Sequence, residues 1–229
     1  MLPISRLAVL LPGMGDADVN DGRSRAPLPL FAAAPIDPGG GECRTPLAFA
    51  GTDRQRPARV PRECGDLPFL IRRDGSWLYR GSPINRKELV CLFASVLRRD
   101  EDGHYWLQTP AERGRIEVED VPFVAVELDW NGDGRNQVLS FRTNVDQVVT
   151  AGPDHPIRIA HDILTCEPTP YILVRPGAGP YAIEARINRA VYYELVALAV
   201  PDWVACRRML GVWSSGRFFP LGELPRSEQ

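Results

Sequence analysis

Lysine is almost missing from this chain: of its 27 basic residues, all but Lys87 are arginine. The skew runs through the whole sequence, so no single arginine is marked as a chosen anion ligand, although each keeps the planar fork that binds carboxylates and phosphates. Long apolar runs are also missing. None approaches the ~20 residues needed to cross a bilayer, and Leu7 to Leu11 is too short for a secretory core, so a cytoplasmic protein is expected. There is no polybasic stretch, and 27 Lys+Arg against 29 Asp+Glu give a net charge of −2. That balance excludes a broad electrostatic footprint for a nucleic acid polymer or an anionic membrane, and leaves small neutral or anionic partners open. The five cysteines, Cys43, Cys64, Cys91, Cys166 and Cys206, form an odd number with no C-x-x-C pair. Neither a disulfide framework nor a zinc ribbon is written there, and reduced thiols are expected. His104 and His161 have no partners at metal-ligand spacing.

Residues 1–60 contain eight prolines and seven glycines without sustained periodicity, which predicts a disordered extension. From Pro61 aromatic and β-branched clusters alternate with turn residues. Phe69 to Arg72 and Trp77 to Arg80 flank Asp74-Gly75, a hairpin signal. Asn85 and Glu88 are spaced to cap a helix, and Leu89, Leu92, Phe93, Val96 and Leu97 trace an apolar face on it. Tyr105-Trp106-Leu107 predicts a strand, as do Arg115 to Glu119 and Pro122 to Trp130, the last with Val124, Val126 and Leu128 on one face. Asp129-x-Asn131-x-Asp133-Gly134 resembles half of a calcium loop, but its twelfth position is Ser140, so a hairpin turn is the better reading.

A shift of 103 positions superposes Leu70, Arg72, Ile84, Asn85, Arg86, Leu92 and Ala94 on Leu173, Arg175, Ile187, Asn188, Arg189, Leu195 and Ala197. Gly216-Arg217-Phe218-Phe219 then echoes Gly103-His104-Tyr105-Trp106. The pattern predicts an α+β fold of two related strand-strand-helix-strand subdomains, residues 61–150 and 151–222, from an internal duplication, with a flexible tail at 223–229. A ligand cleft is expected at the seam between them.

Seven motifs in order carry a family resemblance. They are Cys64-Gly65-Asp66, Trp77-x-Tyr79-x-Gly81-Ser82-Pro83-Ile84-x-Arg86, Tyr105-Trp106-Leu107-x-Thr109-Pro110, Val118-Glu119-Asp120-x-Pro122-Phe123-Val124, Phe141-Arg142-Thr143-Asn144, Gly152-Pro153-Asp154-His155-Pro156 and Leu210-Gly211-Val212-Trp213-Ser214. Over about residues 61–222 the chain resembles the bacterial family catalogued as domain of unknown function 1285. The resemblance implies a duplicated core, a C-terminal half similar to pleckstrin-homology-like folds, a nucleotide-type ligand at the domain interface and a role in signal transduction. It implies no catalytic residue.

Candidate ligand-binding residues sit at the ends of elements, where backbone groups are free. Arg142, Thr143 and Asn144 present a cation, a hydroxyl and an amide in succession. Asp154 and His155 lie in a loop stiffened by two prolines. Arg186 and Arg189 flank a helix start. Tyr192, Tyr193, Trp213 and Phe218 read first as core, with Trp213 the one taken as a cover for a ring. The favoured reading is a sensor or adaptor that binds a small anionic or nucleotide-like molecule, needs no metal or cofactor and can engage a protein partner. The rival is a hydrolase or transferase using Asp154 and His155, and a third is a peptide-binding module. Deleting residues 1–60 is expected to leave the melting midpoint within a few degrees, because a Pro/Gly-rich segment buries little apolar surface; a large drop in a calorimetric scan would show that it packs on the core.

Overall fold

The structure, a computed structural model, describes residues 60–161 and 167–224. The Pro/Gly-rich extension, Cys43, Cys166 and all but the first residues of the expected tail lie outside the described residues. The first half runs β1 (Arg62–Ile71), β2 (Trp77–Tyr79), β3 (Ser82–Pro83), α1 (Lys87–Ser95), β4 (Leu97–Arg99), β5 (Tyr105–Gln108) and β6 (Glu112–Val118). A meander follows, β7 (Phe123–Asn131), β8 (Val138–Thr143) and β9 (Val148–Thr150), and then β10 (Ile157–His161). The second half runs β11 (Pro168–Pro176), β12 (Ala182–Ile187), α2 (Arg189–Ala197), β13 (Val200–Val204), β14 (Arg207–Ser214) and β15 (Arg217–Glu223). The described residues are mostly β, with two α-helices, and neither helix is long and apolar enough to cross a membrane.

The duplication is visible as two units of the order strand-strand-helix-strand-strand-strand, the first with the two-residue β3 added before its helix, so that the second is two strands and the first three strands longer than the sequence pattern predicted. Leu97 is the reason in the first unit: its side chain is fully buried, but it belongs to β4 and not to the helix face it was read onto. The register of the repeat is 103 in the first strand, where Phe69 and Ile71 match Ile172 and Val174 in burial. In the helices it is one residue less. Leu89 and Phe93 occupy the buried positions that Val191 and Leu195 occupy in α2, so the expected equivalence of Leu92 with Leu195 fails and Leu92 stays 38% exposed. The same slip explains the caps. Asn188 caps α2, its side chain accepting from Val191 N–H at 2.8 Å, whereas the N-cap of α1 is Arg86, with no side-chain bond, and not Asn85.

The echo of Gly103-His104-Tyr105-Trp106 at Gly216-Arg217-Phe218-Phe219 does not join equivalent hairpins. Gly103 lies in the β4–β5 hairpin with φ +86°, and the residue 103 positions on is Cys206, in the β13–β14 hairpin with φ +63°. Gly216 belongs to the next hairpin, so its echo of Gly103 is one of local turn chemistry. In β7 the expected face of Val124, Val126 and Leu128 is interrupted. A bulge between Ala125 and Glu127 leaves Val126 40% exposed and puts Phe123, Ala125 and Leu128 into the core. A bulged residue shifts the two-residue period by one and moves the following side chains to the other face.

The sheets divide the chain earlier than residue 150. One six-stranded sheet has the order β3-β2-β1-β6-β5-β4, a second has β10-β11-β12-β7-β8-β9, and β13-β14-β15 form a third. Strands β7 to β9 therefore pair with the second unit, through the parallel contact of β12 with β7. Helix α2 packs on β7 and β14, and α1 closes the first sheet, Phe93 meeting Phe69 edge-on at 4.9 Å and Trp77 at 6.4 Å. Leu195→Ala is expected to cost about 2 to 5 kcal/mol and Leu92→Ala less than about 1 kcal/mol, both read from denaturant midpoints; equal losses would restore the simple 103-residue register.

Candidate functional site

The two units are sewn together largely by side chains that reach across to backbone. Gly75, in the β1–β2 turn, takes φ +84° and a Cβ there would lie 2.6 Å from the Asn144 amide nitrogen, so the turn can approach Asn144 only as glycine. Asn144 donates to Gly75 O at 3.1 Å and accepts from Val124 N–H at 3.1 Å. Arg186 donates to Arg73 O in the same turn at 2.9 Å. Elsewhere Arg175 donates to Ala94 O at the end of α1, and Tyr171 Oη–H bridges both Asp120 carboxylate oxygens at 3.1 Å.

Arg99, at the end of β4, is at the centre of this seam. Its Nε donates to Gly103 O at 3.1 Å and its Nη1 to Ala182 O at 2.8 Å, while its own carbonyl accepts from Ala178 N–H at 2.9 Å. The guanidinium lies 4.8 Å from the Tyr105 ring centroid and 5.0 Å from that of Tyr181. Three cavities open around it, of about 550, 450 and 480 Å3.

The 450 Å3 cavity is basic. Arg98, Arg99, Arg113 and Arg175 line it, against the single carboxylate of Asp100. That carboxylate is already in use, with Oδ1 accepting from the Asp102 and His104 amides at 3.1 and 2.7 Å and Oδ2 from the Trp106 indole at 2.7 Å. Burial works against its ionisation, but these hydrogen bonds outweigh it and hold Asp100 below the usual carboxylate range. Arg113 pairs with Glu63 at 2.7 Å and lies over Trp106 at 4.8 Å. Arg98 donates to its neighbour Leu97 O at 3.0 Å. Burial first, and then the adjacent Arg98 charge, pull Arg175 below its ordinary value, and its Nε is buried with no hydrogen-bond partner.

The residues singled out in the sequence are mostly structural. Arg142 pairs with Glu127 and with Asp146, which also holds Lys87 at 2.7 Å. Thr143 is fully buried, its hydroxyl accepting from Gln147 N–H at 3.1 Å to close the β8–β9 hairpin. Asp154 sits in a tight turn in which Gly152 and His155 exchange backbone bonds at 3.2 Å. His155 Nδ1 meets Leu173 O at 3.0 Å, and since a carbonyl can only accept, Nδ1 carries the proton. Arg189 donates to Tyr193 Oη at 2.9 Å within α2. Trp213 packs on Phe218 and under Arg135 at 4.8 Å. The structure brings Asn144 and Arg186 to one turn, but none of the eight lines the three cavities around Arg99.

Arg98, Arg99, Arg113, Arg175, Tyr105 and Trp106 were passed over as site residues. Uniform arginine use hid the four cations, and only Arg175 carried a signal, as the repeat partner of Arg72. Asp100, Asp102 and His104 bring their ligand atoms within 4.8 Å of one another, but Asp100 is spent on bracing the β4–β5 turn.

A solved structure described as a DUF1285 family protein from Silicibacter pomeroyi DSS-3 is 44% identical, with a TM-score of 0.64 over 72% of this chain and 85% of that one. A second, from Shewanella baltica OS155, is 24% identical, with a TM-score of 0.44 over 57% of this chain and 91% of that one. Among curated proteins nothing matches. Residues 58–121 match the family model described as domain of unknown function (DUF1285), N-terminal domain, and residues 122–221 match protein of unknown function (DUF1285), C-terminal domain. The two models meet at residue 121, where the hydrogen bonding passes from the first sheet to the second, and the chain belongs to the DUF1285 family.

Proposed function

We propose that this is a binding protein that holds a small phosphate-bearing or nucleotide-like anion in the basic cavity of the seam. One observation carries the reading. Arg98, Arg99 and Arg175 line a single cavity, and none of them has a carboxylate partner among the described residues. Like charges held together without a counterion repel, and a bound anion relieves that cost while gaining charge-assisted hydrogen bonds. The volume of about 450 Å3 suits a small molecule, and Trp106 adds aromatic surface for a ring. A concave cavity of this size, unlike a broad basic patch, favours a discrete ligand over a nucleic acid polymer.

The lining holds no serine, cysteine or histidine, which favours binding over acyl or phosphoryl transfer at this place. A hydrolase built on Asp154 and His155 is less favoured, because His155 Nδ1–H bonds Leu173 O, so that among the described residues the Asp154 carboxylate does not orient the imidazole. Consistent with the family resemblance, the second unit is read as pleckstrin-homology-like, and the role as that of a cytoplasmic sensor or adaptor in signal transduction that passes ligand occupancy to a protein partner.

Titration with pyrophosphate and with ADP in a calorimeter is expected to show saturable binding. Arg98→Ala should weaken it by about 1.5 to 3 kcal/mol without lowering the melting midpoint, since Arg98 is exposed and repels Arg175. Arg98→Lys should not recover the full affinity, for want of the bidentate fork. Absence of binding by either anion, or unchanged affinity in Arg98→Ala, would remove this reading.

A further inference from the structure

A second cavity that Arg99 lines, built from residues 66–120 of the first unit, has the opposite polarity. The cavity of about 550 Å3 is lined by four carboxylates, Asp66, Glu117, Glu119 and Asp120, against two guanidiniums, Arg99 and Arg115. Arg115 is paired with Asp66 at 2.7 Å, and both Arg99 donors that face carbonyls are occupied. Glu119 Oε2 accepts only from Arg73 N–H at 2.8 Å, and Asp120 only from the Tyr171 hydroxyl, among the described residues. A carboxylate offers about four lone-pair sites, so both retain acceptor capacity. Leu67, Leu70, Ile116 and Val118 supply apolar surface to the same cavity.

Acidic clusters are common on protein surfaces, but this one has a second feature. Tyr105 lines the cavity, the residue is only 6% exposed, and its hydroxyl is buried with no hydrogen-bond partner among the described residues. An unpaired buried hydroxyl is destabilising, and a ligand that reaches it recovers that cost. Burial pushes the Tyr105 phenol up to about 12, against the Arg99 charge and together with Glu184 and Asp120. The group is therefore a neutral hydroxyl that can accept a hydrogen bond from a cation.

We propose that this cavity binds a short aliphatic amine, a diamine or triamine, with one ammonium held between Tyr105 Oη and the Asp120 carboxylate and the methylene stem lying on Leu67, Leu70 and Val118. A primary ammonium has three donors and no acceptor, which suits a wall of carboxylate and phenolic oxygens. Its stem is apolar, which suits the aliphatic side of the same cavity. The site is distinct from the basic cavity: the two share only Arg99, whose donors to Gly103 O and Ala182 O fix it as a partition between regions of opposite charge.

Calorimetric titration of the full chain with putrescine and with spermidine, at physiological salt, tests this. The expected result is saturable binding, weakened about tenfold or more by Tyr105→Phe and by Asp120→Asn and unchanged by Arg98→Ala, which separates this site from the anion site. Tyr105→Phe should also melt at the same temperature as the parent chain or higher, because the deleted hydroxyl had no partner. Asp120→Asn also alters the Tyr171 contact, so the Tyr105→Phe variant decides if Asp120→Asn fails to fold. The proposal is overturned if neither amine binds, if Tyr105→Phe binds them with parental affinity, or if a neutral polyol of the same length binds as tightly.

Discussion

The seam between the two units depends on how Arg99 is held. A guanidinium has five donors and cannot shed its charge, so placing it between packed units is tolerable only where acceptors and polarisable surface meet it. Tyr105 comes from its own unit and Tyr181 from the other, and the two rings lie within 5.0 Å of the guanidinium, while Gly103 O and Ala182 O, again one from each unit, take its hydrogen bonds. Cation–π contacts and bonds to carbonyls compensate desolvation without a carboxylate. The residue is thus fixed in place, and it lines all three cavities.

Duplication supplied two similar units, but a difference in pairing made the seam. In the first unit β1 pairs in parallel with β6, so hairpin and meander share one sheet. In the second, β11 pairs with β10 at the corresponding edge, and β13 to β15 form a sheet of their own. The free edge of β12 is then filled by β7, which ties the linker meander to the second unit. Serine hydroxyls join the small sheet to that meander: Ser214, fully buried, accepts from Leu139 N–H at 2.9 Å and donates to Ala151 O at 2.7 Å. Buried backbone groups at the edges of separate sheets need such partners, since neither water nor a ladder reaches them.

Polar groups in the seam are unevenly satisfied, and the unevenness is local. Arg158 and Glu184 form two bonds of 2.6 Å with each other, Asp100 accepts three, and Asn144 accepts from Val124 N–H in its own unit and donates across to Gly75 O. By contrast four side-chain atoms are buried without partners among the described residues, Trp77 Nε1, Arg186 Nε, Arg175 Nε and the Tyr105 hydroxyl. Such atoms are rare in folded proteins, and the last two belong to residues that line the cavity with excess positive charge and the cavity with excess negative charge.

Local chemistry in the sequence determined much of the fold: the Asp74-Gly75 hairpin with Asp74 Oδ1 accepting from Ser76 N–H at 2.9 Å, the Asn188 cap, the turn at Asp129 to Gly134, the repeated units and the family itself. These are encoded by residues close together in the chain, where turn geometry and period act directly. Tertiary structure alone decided the one-residue slip between the helices, the bulge at Val126 and the division of the sheets near residue 121, because each is settled by packing against distant strands. It also decided where donors go. Arg142, Asn144 and Arg186 carry donors of the kind an anion site needs, but each is drawn to a long-range partner, Glu127, Gly75 O and Arg73 O in turn. Arg98 and Arg175 look no different in the sequence; they differ because the fold brings 77 residues of separation to one cavity and leaves both without an ion-pair partner among the described residues.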